Sequence, residues 1–176
     1  LANGDIAFWL IAQRMLPPVA VILPIFMMFQ RLGLLDTLWA LIVVYTATSL
    51  PLVIWFMRDY FLSIPMELEE SARIDGASTW QTFWKLIFPL LAPMSATVGI
   101  FAFLASWNDF MMPSLITSDP TLQTLPVVQS IFQTQFSNNY NVSFASYLMA
   151  MAPAILVYVF TQRWVMSGVT QGAVKG

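Results

Sequence analysis

Residues 58–85 read RDYFLSIPMELEESARIDGASTWQTFWK and hold eight of the sixteen formal charges in a chain of 176 residues. On either side the charges stop: 38–57 carries none, and neither does 86–108. Burying all eight in a bilayer would cost roughly 20 kcal/mol, at about 2.5 to 3.5 kcal/mol per charge. The run therefore lies in water or against a partner, as a polar loop between two apolar spans.

The rest of the composition agrees. The chain is 59% hydrophobic and 9% charged, with mean hydropathy +0.73, whereas a soluble domain has about 25% charged residues. This defines an all-α integral membrane protein. A net charge of −2 with seven scattered basic residues leaves no footprint for nucleic acid. The sequence has no Cys and no His, which removes disulfides, thiolate chemistry and the usual transition-metal ligands. No metal site and no cofactor is expected. The chain starts at Leu1 without the ordered regions of a signal peptide, and is read as a fragment of a longer one.

Charged punctuation lays out four spans, at about 14–32, 38–57, 86–108 and 144–162. Trp39, Trp55, Trp107 and Trp164 stand near span ends, where amphipathic rings favour the headgroup level. Pro17, Pro18, Pro24, Pro51, Pro89, Pro93 and Pro153 fall in or beside the spans, so the bundle is expected to be kinked. Arg14, Arg58, Arg73, Lys85, Arg163 and Lys175 fall on one side and Arg31 alone on the other. The excess places loop 58–85 and the C-terminus in the cytoplasm. Segment 109–143, which has no Lys or Arg, is then extracytoplasmic. Within it Pro126 starts a helix along the outer surface, with Val127, Val128, Ile131, Phe132 and Phe136 on one face. Arg31 and Asp36, in the short turn around Gly33, read as surface residues.

Inside the charged loop, Ser63 or Ile64 caps a helix of about three turns with Pro65 in its first turn. Glu67, Glu69 and Glu70 sit near its positive end and Gly76 stops it. Small side chains at Ser71, Ala72 and Gly76 allow another surface to approach closely, while Glu70 and Arg73 offer charged hydrogen bonds. A second helix begins near Ser78 and runs into the next span.

Glu70-Ser71-Ala72-Arg73-Ile74-Asp75-Gly76, with Leu86-Ile87-Phe88-Pro89 nine residues on, resembles the EAA loop of ABC importer permeases. That pattern is Glu-Ala-Ala, three residues, Gly, nine residues, then Ile-x-Leu-Pro; Ser71, Leu86 and Phe88 depart from it conservatively. Arg14-Met15-Leu16-Pro17-Pro18, Trp107-Asn108-Asp109-Phe110 and the stretch from Gly168 to Gly176 are similar to the carbohydrate branch of that family. The resemblance implies the last four helices of a six-helix type I permease subunit, truncated at its N-terminus, in a bacterial or archaeal cell membrane. It implies a second permease subunit, a cytoplasmic ABC ATPase dimer and an extracytoplasmic solute-binding protein as partners besides membrane lipid. It also implies that Glu70, Ser71, Ala72, Arg73, Asp75 and Gly76 couple to the ATPase.

Asn108 and Asp109 either line a sugar path or cap the end of a span. The glycines at 168, 172 and 176 follow Arg163 and read as a flexible or docking tail rather than a helix-dimer motif. No G-x-x-x-x-G-K-[ST] occurs, so ATP must be bound by another chain. A passive channel or membrane-anchored assembly subunit is the alternative function; an intramembrane enzyme would need acids, bases or nucleophiles deep in the spans, which are lacking.

Overall fold

The computed structural model describes residues 2–135 and 140–173, with side chains at 6, 8–133 and 140–162. Phe136, Lys175 and Gly176 lie outside the described residues, as do the side chains of Arg163 and Trp164. Every regular element among the described residues is helical.

Helix α1 (Ala2–Ala12) and a 3-10 turn (Gln13–Met15) lead into α2 (Pro18–Arg31), and the chain bends by 98° between them. The cause is local. Proline disfavours a helical residue before it, so Leu16 and Pro17 are extended, at ψ 128° and 130°. The span expected over 14–32 is thus broken: α2 alone has 14 residues, about 21 Å of helix, short of the roughly 30 Å hydrocarbon core.

The next span is longer than expected. Thr37 accepts the Ala40 N–H and opens α3 (Leu38–Leu62), whose 25 residues pass well beyond 57 and reach about 37 Å. After it come α4 (Met66–Ile74), α5 (Thr79–Thr82), a π turn (Phe83–Ile87) and α6 (Phe88–Trp107). Thr79–Trp107 is one continuous helix of 29 residues, so this helix starts before 86. At the other end of α3 and α6 lie α7 (Met111–Ile116) and α8 (Leu125–Gln135), followed by α9 (Tyr140–Ala173). Helix α9 exceeds 144–162 at both ends, and the tail read as flexible or docking is helical through Ala173.

Three helices are long and apolar enough to cross a membrane, or four if the bent α1–α2 pair counts as one. α6 packs between α3 and α9, α8 lies on α9, and α7 packs on α2 and α3. Two separate apolar clusters result. Ile22, Phe29, Ala40, Leu41, Val44, Met112 and Ile116 form one near the α2–α3 turn. Tyr60, Ile87, Leu91, Met94 and Val98 form the other near α4.

Segment 109–143 departs from a simple surface strap. α8 begins at Leu125 as the pattern suggested and buries Val127. The unexpected element is α7, which carries Pro113 and Ile116 into full burial with Thr117 just after it. Asp36, exposed as expected, also secures this arrangement. It adopts φ +56°. Its N–H donates to the Ile116 carbonyl (3.0 Å), and its carboxylate accepts the N–H groups of Ser118 and of Asp119, the latter at 2.9 Å. Asp119 in turn accepts the Thr121 N–H and hydroxyl, which hold its carboxyl below the usual carboxylate range.

Candidate functional site

Helix α4 begins at Pro65 without a side-chain cap. Ser63 and Ile64 do not cap it, because the Ser63 hydroxyl donates instead to the Tyr60 carbonyl at the end of α3 (2.6 Å). Glu67 and Glu69 occupy the first turn and Arg73 the last, which suits the helix dipole at both ends. Glu69 and Arg73 approach to 3.9 Å, a loose exposed pair, worth a few tenths of a kcal/mol, about 0.3–0.5.

The C-terminus of α4 is a Schellman motif. Gly76 takes φ +80°; its N–H donates to the Arg73 carbonyl (3.0 Å) and the Ala77 N–H to that of Ala72 (2.9 Å). These bonds satisfy carbonyls that a helix end leaves open. A Cβ at Gly76 would meet nothing within 4 Å, so the requirement is the backbone angle and not space.

Of the residues expected to couple, Glu70, Ser71, Arg73, Asp75 and Gly76 are exposed, while Ala72 is half-buried. The sequence reading did not single out two exposed apolar neighbours. Met66 and Ile74 are 71% and 86% exposed and share with Glu70 one stripe at i, i+4, i+8. An apolar residue at each end of a charged helix was the available signal.

The link from α4 to the bundle is stiff. Ser78 and Gln81 form a reciprocal capping box at the start of α5, with Gln81 N–H to Ser78 Oγ at 3.3 Å and Ser78 N–H to Gln81 Oε1 at 3.0 Å. Trp80, Trp84 and Phe88 then pack in a row, Trp80 edge-on to Trp84 and Trp84 tilted against Phe88, with ring centroids 5.5 and 4.9 Å apart. The π turn occupies this same stretch, and such turns recur at functional sites.

A second feature lies at mid-height, where a cavity of about 620 Å³ opens between the start of α2, the middle of α3 and the end of α6. Asn108 and Asp109 are on its wall and also cap helices. The Asn108 side-chain amide donates to the Leu104 carbonyl (2.8 Å), and Asp109 accepts the Met111 N–H (3.1 Å). The same wall includes Arg14, Tyr45, Ser106 and Phe101, none of which the sequence reading grouped with this site.

Helices of this length and apolarity, bent at prolines and joined by a charged helical loop, define a multi-pass membrane protein. Residues 6–171 match the family described as "Binding-protein-dependent transport system inner membrane component", and the chain belongs to that family. Among its relatives, the multiple sugar-binding transport system permease protein MsmG of Streptococcus mutans is 39% identical over 94% of this chain and 60% of its own length. The arabinooligosaccharides transport system permease protein AraQ of Halalkalibacterium halodurans is 35% identical over 92% of this chain and 57% of its own. The diacetylchitobiose uptake system permease protein DasC of Streptomyces coelicolor is 34% identical, over 99% and 63% respectively. The chain thus spans roughly 60% of the length of these relatives.

Proposed function

We propose that this chain is part of the permease subunit of an ABC importer for a sugar, polyol or oligosaccharide. In this reading the α4 end faces the cytoplasm, a placement that Arg58, Arg73 and Lys85 around it support, and segment 109–143 faces outward. A second permease subunit completes the path, a solute-binding protein delivers the sugar outside, and an ABC ATPase dimer works below. ATP is hydrolysed in that separate subunit and not here.

The observation that carries the proposal is the build of α4. It leaves Met66, Glu70 and Ile74 exposed on one stripe, and its Gly76 end is hydrogen-bonded shut two residues before the capped start of α5. Glu70, Ser71, Ala72, Arg73, Asp75 and Gly76 form the coupling element: Glu70 supplies a charged acceptor and Ile74 an apolar contact for a groove on the ATPase. Closure of the ATPase pair pushes on α4. The capping box and the packed rings pass that push into α6, whose tilt against α3 exchanges access between the two sides. Asn108 and Asp109, at the far end of α6, belong to the solute path.

Glu70→Lys tests the coupling. Reconstituted with its partners, the variant should reach the membrane in normal amount and lose ATP-driven uptake of labelled sugar. Uptake at the unsubstituted rate would remove the docking role.

A further inference from the structure

The apolar stripe of α6 does not stop where the π turn begins. Trp80, Trp84, Ile87, Leu91, Met94 and Val98 follow one another at intervals of four, three, four, three and four residues, the spacing that puts side chains on one stripe of an uninterrupted helix. Ile87, Leu91, Met94 and Val98 are buried together in the cluster near α4. The two tryptophans are not: Trp80 is 71% and Trp84 44% exposed. In their place the inner side carries Thr82, only 6% exposed, with Phe83 packed against the cluster.

The π turn accounts for the exchange. Its closing bond runs from the Phe88 N–H to the Phe83 carbonyl, five residues back, so the turn holds one residue more than an α-helix would. One residue of an α-helix is about 100° of rotation, and the stretch before the turn is swung by that angle relative to α6. The reason for the wide turn stands just after it. Pro89 has no N–H to give, and in a regular helix its ring collides with the carbonyl four residues back, here that of Lys85. A local π adjustment relieves such a proline. Two preferences therefore oppose each other in one segment: the proline favours the wide turn, and burial of two indole rings favours its closure.

We infer that residues 79–87 form a register switch. Closing the π turn into α-helix rotates Trp80 and Trp84 inward onto the stripe of Ile87 and Leu91 and turns Thr82 outward. The surplus residue passes into the link at Ala77 and Ser78. The capping box between Ser78 and Gln81 is the latch that holds the present register, and α4 packs against α5, so a displacement of α4 bears on that latch. That the ATPase supplies the displacement rests on the importer reading; the pair of registers does not.

The test uses the complete complex in proteoliposomes. The chain has no native cysteine, so Thr82→Cys and Trp80→Cys serve as separate reporters, each reacted with a small hydrophilic maleimide. Without nucleotide, Trp80→Cys should react quickly and Thr82→Cys slowly. Trapping the ATPase with ATP and vanadate should raise the Thr82→Cys rate by at least about tenfold, as when a minor conformer becomes the major one, and should lower the Trp80→Cys rate. A tilt or opening of the whole helix end would move both rates the same way. Pro89→Ala removes the obstacle to a regular helix and should shift the two rates in the same opposed directions without nucleotide. Rates that change together or not at all on trapping, in a complex that takes up sugar on ATP, would overturn the switch and leave the importer reading standing. If the parent complex takes up no sugar, the importer reading falls and Pro89→Ala alone decides: opposed shifts sustain the two registers, and rates left at the parent values overturn them.

Discussion

Replacing Gly76 by alanine separates backbone strain from crowding. Gly76 sits at φ +80°, where an L residue is strained by about 1–2 kcal/mol relative to its relaxed conformation. No heavy atom lies within 4 Å of the added Cβ, so the intramolecular cost is conformational alone. That cost should weight the equilibrium toward an opened end of α4 by a factor of about 5–30. The Ala77 N–H, bonded at 2.9 Å to Ala72, would exchange with deuterium faster by about the same factor. Gly76→Asn should recover part of the loss, since Asn tolerates this angle. Gly33 is the internal control: it has φ +65° and the same paired bonds, Gly33 N–H to Gln30 and Leu34 N–H to Phe29. Gly33→Ala should loosen the Leu34 amide comparably, yet only Gly76→Ala should impair ATP-driven uptake. Exchange at Ala77 that is unaffected by Ala, or equal acceleration by Asn and Ala, would refute the reasoning.

Asp36→Ala removes the acceptor for two backbone N–H groups at the start of the segment after α7 and should lower thermal stability in detergent by about 1–2 kcal/mol, discounted for exposure. Ser78→Ala breaks the capping box; a loss near 1 kcal/mol should appear as faster amide exchange at Gln81, with Ser78→Asp close to the parent. Asp119 has its carboxyl held low by Thr121, so the turn it forms is favoured above the ordinary carboxylate range and loses that contribution as pH falls through the lowered folded value. Exchange at the Thr121 amide, corrected for intrinsic pH dependence, should rise on acidification and should not in Asp119→Asn.

The secure parts of the fold were legible because bilayer energetics act on composition: charges mark where helices must end, and apolar runs mark where they cross. Boundaries drifted because helices continue past the hydrocarbon edge, as α3 does to Leu62 and α6 does back to Thr79. The break at Leu16 was written in two consecutive prolines, but its 98° consequence needed coordinates. α7 stayed hidden, since six residues with an internal proline have no helical period to read. The charged residues of the proposed coupling element stood out in the sequence through the spacing of the motif they resemble. Tyr45, Phe101 and Arg14 did not, because only the gap between two packed clusters brings such distant positions to one cavity. Asp36 is exposed, as read, but its role in holding the segment after α7 was hidden because its bonds reach more than 80 positions along the chain.

The central claim is that α4 hangs on the cytoplasmic side and meets an ATPase. A cysteine at Ile74, otherwise 86% exposed in a chain without cysteine, measures this directly. Impermeant maleimide should leave it unlabelled in intact cells and label it in inside-out vesicles, and an oxidant should join it to a cysteine in the ATPase groove. Labelling from outside intact cells, or the lack of any cross-link to the ATPase in an actively transporting complex, would contradict the account.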